Sequence, residues 1–252
     1  MNVIEYLNLP KAAALNQRIS IKSMVDFHQI KRQDEKLLRD HIHSIYLIGV
    51  LNESTIHIRP FKDDLMTYEE IHILHIRLKK SNKFAQINHK LHSFFPNPTL
   101  VIYSTDNQFV YSTAIKHLNP IKKNQVVIDD VYVSEQSPLN DSPSEKFLNK
   151  TSVINLKARN LKEYYESIID IVYQQRLISI IQDYPEKIIK ASKVKEALKL
   201  IEKLHFKLNQ LRDEEKSLQT MRSKMENSIL QKEIQSNIDS VTQTLKEAIK
   251  NG

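Results

Sequence analysis

Carboxylates close to strand-like runs carry the clearest chemical potential in this sequence. Asp63 and Asp64 stand a few residues ahead of Glu69 and Glu70, and Glu70 opens a run in which Ile71, Ile73, Ile76 and Leu78 are spaced for a strand. In a metal-dependent nuclease, carboxylates on neighbouring strands hold Mg²⁺ and a lysine of a Glu-x-Lys pair orients the attacking water. Asp63, Asp64 and Glu70 are therefore the candidate catalytic residues, with Asp129 and Asp130 as a second acidic pair. The pattern is incomplete. No Glu-x-Lys falls on a strand, and Glu214-x-Lys216 lies in a helical stretch, so charged turns that solubilise strand ends are the bland alternative. Among the ten histidines, His89 and His92 are one helical turn apart and could share an ion. His72 and His75 point to opposite faces of a strand, and His41 and His43 face apart on a helix, so no third donor completes a zinc set. The sequence predicts neither a metal centre nor a cofactor.

Positive charge is the second chemical resource. Lysine and arginine number 37 against 30 acidic residues, a net +7. This permits an acidic partner such as DNA without requiring one. The clusters are Lys11, Arg18 and Lys22; Lys79, Lys80 and Lys83; and Lys122 and Lys123, which could hold phosphates in a salt-sensitive way. Their bland alternative is scattered surface charge. Tyr103, Phe109 and Tyr111 have the spacing of a base-stacking platform, although aromatic residues on a sheet are more often core. Two absences narrow the field. There is no cysteine, which removes disulfides and thiol nucleophiles and fits a cytoplasmic location. Only Gly49 and Gly252 are glycine, so the glycine-rich loops that cradle phosphates are missing. No run approaches the ~20 apolar residues of a membrane span.

The elements that must position these groups follow from periodicity. A short helix is expected over residues 3–8. Lys11 to Lys22 reads as a solvated connector. Asp34 is a helix N-cap for Leu37, Leu38, His41, Ile42 and Ile45, and this helix either ends near Gly49 or gives way earlier to a buried strand. Ile56 and Ile58 alternate with polar residues up to Pro60, as in a strand with one wet face. A strand over Glu69 to Lys80 precedes a helix through Phe84, Ile87, Leu91 and Phe94, closed by Pro96 and Pro98. A hairpin turning at Thr105 to Gln108 and runs at Val126 to Ile128 and Val131 to Val133 follow. The fold class is α/β or α+β, a mixed sheet with packed helices. The organisation is an α/β domain over 1–133, a linker or exposed loop over 134–150, a helix over 151–184 packing on that domain, and a helical arm or antiparallel hairpin over 185–252.

The arm holds no proline or glycine from 186 to 251. Its coiled-coil-like seam is Ile201, Leu204, Leu208, Leu211 and Leu218, continuing through Met225, Ile234, Ile238, Val241 and Leu245. Glu215 and Arg222 interrupt it, which predicts two halves, 186–222 and 229–250, hinged near Asn227. Apart from Met225, this seam is the candidate partner-binding surface, either for another protein, for a second copy of the chain, or for its own antiparallel half.

Several segments in order resemble a bacterial and archaeal family known as domain of unknown function forty-three ninety-one. They are Leu9 to Lys11 with Asn16 to Ile19 and Lys22; Leu51 to Ile58; Glu70 to Ile73; Ile87 to Leu91 with Pro96 to Pro98; Ala114 to Lys116; and Leu230 to Asn237. The resemblance implies an α/β domain with a helical C-terminal tail and no established catalytic residue. It also implies encoding beside DNA helicases and DNA methyltransferases in restriction-like or antiphage clusters. Lys11, Lys22 and Lys116 match the family's basic positions, which adds Lys116 to the candidate nucleic-acid contacts. Histidine at positions 57, 72 and 75 departs from the family pattern. Three functions are thus expected in competition: a non-enzymatic accessory subunit that binds a helicase or methyltransferase through the arm and DNA through the α/β domain; a metal-dependent nuclease; and a homodimeric scaffold.

Overall fold

The computed structural model describes residues 3–80, 82–119, 126–138 and 141–251. They form two units, Met1–Arg176 and Leu177–Gly252. In the first, a 3₁₀ turn at Glu5–Leu7 leads to strand β1 (Ala14–Ile19), helices α1 (Ile21–His28) and α2 (Arg32–His41), and strand β2 (Ile42–Asn52). Helix α3 (Glu53–Ile56) and the ribbon β3 (Phe61–Lys62) and β4 (Thr67–Tyr68) precede β5 (Glu70–Leu78), α4 (Phe84–Phe94) and β6 (Thr99–Ser104). Then come β7 (Gln108–Leu118), β8 (Val126–Val133), β9 (Ser137–Pro138), α5 (Ser142–Lys150) and α6 (Leu161–Gln174).

The main sheet has seven strands, in the order β1-β2-β5-β6-β7-β8, with β9 pairing the start of β7. It is mixed: β5 and β6 run parallel, joined by the α4 crossover, and the other pairs are antiparallel. That crossover obliges α4 to lie on one face. There, Ile87 and Leu91 join Met24 of α1 and Leu38 of α2 over Ile45, Leu74, Ile76, Val101 and Tyr103. The opposite face takes α5 and α6. Phe147 of α5 meets the Tyr111 ring at 5.1 Å, and Tyr164, Ile168 and Ile171 of α6 line a small cavity together with Ile73 and Leu100. The result is an α/β unit of three layers, because both faces of β5 and β6 are apolar and each needs a cover.

Four local expectations differ from the structure. The connector Lys11 to Lys22 contains β1, which lacks an apolar alternation because Ala14 to Arg18 are exposed on both faces. The helix expected to be capped by Asp34 begins earlier, at Arg32 with Lys31 as its N-cap, and gives way to the buried strand β2 at Ile42, the earlier of the two endings that periodicity left open. The strand expected at Ile56 and Ile58 is absent: Ile56 ends α3 and Ile58 follows its cap in an irregular segment. The Asn52 side chain accepts from the Ser54 and Thr55 amides while the Thr55 hydroxyl accepts from the Asn52 N–H, a reciprocal cap that fixes a helical turn before His57 closes it at φ 56°. The linker at 134–150 contains α5. Its Ser-Pro and Asp signals mark a helix start, with Asp141 accepting from the Ser144 amide at 2.8 Å and Pro143 in the first turn, and Phe147 and Leu148 are fully buried.

The second unit holds α7 (Ile178–Ile181) and two long helices, α8 (Ala191–Glu215) and α9 (Met221–Asn251). They form an antiparallel hairpin. Leu208 packs with Ile234 and Ile238, flanked by Leu204 and Leu211, while Ile201 and Leu245 are also buried. The break falls at residues 216–220, not near Asn227. Asn227 lies inside α9 and donates to the Leu211 carbonyl across the hairpin at 3.1 Å. Glu215, which interrupts the apolar seam, accepts from Gln231 at 2.8 Å.

Candidate functional site

Helix α6 projects Lys162, Tyr165, Glu166 and Ile169 from one face at helical spacing, toward the ribbon β3–β4 and the ends of β7 and β8. They line a pocket of about 210 Å³ together with Asp63, His117 and Asp129. The Asp63 carboxylate accepts from Lys162 Nζ at 2.8 Å and from the amides of Leu65 and Met66 at 3.0 and 2.8 Å. The Lys162 hydrogen bond, reinforced by the Met66 amide, holds the Asp63 carboxyl below the usual range, and the same pairing raises Lys162. Lys162 also lies 5.1 Å from the centre of the Phe61 ring. Nearby, His117 Nδ1 is 2.8 Å from Asp129 Oδ1. The pocket therefore presents two acid–base pairs, each closed on itself.

The proposed catalytic trio is not brought together as one cluster. Asp63 is engaged by Lys162, and Asp64 is exposed on the turn between β3 and β4. Glu70 accepts from His72 Nε2 and Asn97 Nδ2, both at 2.6 Å. The histidines are also dispersed: His92 is buried against the Ser112 hydroxyl at 2.9 Å whereas His89 is exposed, and His75 contacts Ser104 at 2.8 Å. Among the described residues no group of three His, Asp or Glu side chains is arranged to hold a metal ion.

Beside the pocket the sheet itself is split. The β6–β7 ladder runs from Ser104↔Phe109 to Val101↔Ser112. Beyond it, the Tyr165 hydroxyl lies between Thr99 and Ala114, accepting from their amides at 3.2 and 3.1 Å with their carbonyl oxygens at 3.1 and 3.0 Å. Two residues further on, Lys116 is 4% exposed and donates from Nζ to the carbonyls of Phe95 and Asn97 at 2.7 and 3.1 Å, just past the C-terminal end of α4. Burial pushes its pKa down to about 7. Lys116 is thus a corrected assignment: its ammonium is held inside the fold by the C-cap carbonyl of α4 and a carbonyl of the loop that follows, and offers no charge to a phosphate.

The remaining basic candidates are at the surface. Lys11, Arg18 and Lys22 are exposed before, on and after β1, and Lys79, Lys80 and Lys83 are exposed between β5 and α4. Lys79 Nζ donates to the Arg39 carbonyl at 2.9 Å. Lys122 and Lys123 lie outside the described residues. Tyr103, Phe109 and Tyr111 are each at most 1% exposed and form core, not a stacking platform. On the arm, the partner-binding assignment also needs correction. Leu204, Leu208, Leu211, Ile234 and Ile238 pack within the hairpin, Ile201 and Leu245 are buried, and Val241 and Leu218 are half-buried. What α9 leaves open is a different row. Met221, Met225 and Ile229, at i, i+4 and i+8, are 87, 71 and 62% exposed. Sequence reasoning missed this row because it assigned Met225 to the seam, and it missed Lys162 and Tyr165 because their partners lie far away in the chain.

A three-layer α/β unit with a mixed sheet, followed by a helical hairpin, defines the class: an α/β protein whose polar pairs are closed and whose exposed apolar surface includes a row on α9. Within that class the chain belongs to the family described as Domain of unknown function (DUF4391), whose model matches residues 7–238. Neither a curated protein nor a solved structure matches the chain. Among the described residues no helix is long and apolar enough to cross a membrane.

Proposed function

We propose that this protein is a non-enzymatic accessory subunit of a DNA-defence or restriction-like assembly, and that it docks onto a DNA helicase or DNA methyltransferase subunit through the outer face of α9. The observation that carries this reading is the row Met221, Met225 and Ile229, exposed over three successive turns. Flexible methionines beside an isoleucine give a surface that repacks against an apolar groove on a partner, and a solvated helix gains nothing from exposing them. The exposed Lys80 and Lys83 supply phosphate contacts that carry no base reading. The closed Asp63–Lys162 and Glu70–His72 pairings give the nuclease alternative no support. An internally packed seam likewise removes the reason for a homodimer zipper.

Co-purification with the products of the adjacent genes tests the proposal. Met225→Lys with Ile229→Lys should abolish capture of the helicase or methyltransferase while the helical signal and monodispersity stay unchanged. The captured wild-type complex should bind duplex DNA less tightly with Lys80→Glu and Lys83→Glu. Capture that survives the α9 substitutions would refute the role given to that face.

A further inference from the structure

Strand β1 extends the sheet and covers almost no core. Ala14 to Arg18 are exposed, and only Ile19, at the end of the strand, packs on the cluster that α1, α2 and α4 cover. Ordering a residue costs conformational entropy, and strands ordinarily recover it by burying one face. Over residues 14–18 the strand recovers only its ladder to β2, through Ala14↔Gly49, Gln17↔Leu47 and Arg18↔Tyr46. It is the end strand, and among the described residues no further strand lies beyond it. Alternate backbone N–H and C=O groups of an end strand point outward, where they can pair with an added strand.

Along β1 and its paired strand the charge has one sign. Between Glu5 and Asp26 the chain holds no acidic residue, and β2 holds none. Lys11, Arg18 and Lys22 are exposed along the same stretch, and Leu15 is 43% exposed. A lysine or arginine on an edge also discourages self-pairing, since two copies of this edge would bring like charges together. The same charges favour a strand of opposite sign.

We propose that the outer edge of β1 accepts an extended acidic segment of a protein partner as an eighth strand. Main-chain hydrogen bonds would supply the affinity, and Lys11, Arg18 and Lys22 would select Asp or Glu side chains on the incoming strand. The register shift between Ala14 and Gln17 interrupts the edge and keeps the added pairing short. Duplex DNA is the competing occupant for these cations, but phosphates would leave the outward backbone groups of β1 unused. The edge uses none of the α9 residues, so it stands or falls separately from the proposed helicase or methyltransferase contact.

A random decapeptide library displayed on phage, selected against the full chain, tests the inference, with recovered sequences remade as fluorescent synthetic peptides. Recovered peptides should carry Asp or Glu at alternating positions and lose at least 10-fold in affinity against a Lys11→Glu, Arg18→Glu, Lys22→Glu variant. Their binding should slow amide exchange in β1 and leave exchange in α9 unchanged. Raising ionic strength on the wild-type chain should weaken binding as well, a readout that needs no substitution. Peptides without acidic residues, unaltered β1 exchange on binding, failure to recover any binder, or displacement by a labelled DNA duplex dependent on the same three residues would each overturn it.

Discussion

Lys116 shows how one side chain can look like a ligand-binding group and act as a structural one. Its ammonium has two carbonyl acceptors at the end of α4, and burial still lowers its pKa from 10.5 to about 7. An unfolded lysine keeps its ordinary value, so between about pH 7 and pH 10 the unfolded chain binds more protons than the folded one. Stability therefore rises with pH across that window. His92 acts in the same sense lower down: burial, with help from Lys116, holds it well below its ordinary value, so stability falls as the pH drops below about 6.5. Raised tyrosines such as Tyr132, pushed up from 10.0 to about 12, oppose the trend between about pH 10 and pH 12, where the folded chain holds the proton that the unfolded one has lost. Urea unfolding between pH 7 and 9 should show the wild type gaining up to ~2 kcal/mol, since each pKa unit is worth ~1.4 kcal/mol. Lys116→Met should flatten that slope while lowering stability at pH 9, because Phe95 and Asn97 lose a donor. A slope that persists in Lys116→Met would assign it to other groups.

At the scale of elements, legibility depended on whether a pattern had one physical cause. The strand over Glu69 to Lys80 and the helix from Phe84 to Phe94 were readable because burial on the sheet or against it imposes a period, and prolines close the helix. Three others were not. β1 carries no period because nothing covers Ala14 to Arg18, α3 is set by a side-chain cap, and the Ser-Pro and Asp run before α5 serves a turn and a helix start equally well. The arm was half legible: its apolar seam was visible, but a seam reads the same whether it meets another chain or its own returning helix. This difference can be measured. Leu208→Ala and Ile238→Ala should each lower the hairpin's stability by roughly 2–4 kcal/mol as core truncations, whereas Ile229→Ala should change it by less than ~0.5 kcal/mol. Similar losses at all three positions would contradict the division between packed seam and open row.

For the molecule as a whole, the α/β class with a helical C-terminal unit followed from the order of periodicities, and the site did not. The Asp63–Lys162 contact joins residues 99 positions apart, and the Tyr165 hydroxyl meets residues 51 and 66 positions earlier. Spacing along the chain carries no trace of such pairings. Tyr165→Phe should cost about 2–3 kcal/mol by stranding buried backbone groups, and amide exchange at Thr99 and Ala114 should speed up more than at Val101 and Ser112. Uniform acceleration would indicate general loosening instead. Because a phenol from α6 completes the rung that the strands do not make with each other, β6 and β7 cannot finish zipping on their own. The end of the sheet and the docking of a helix from much later in the chain must arrive as one cooperative event. On a ribosome, that corner of the protein stays open until residue 165 has emerged.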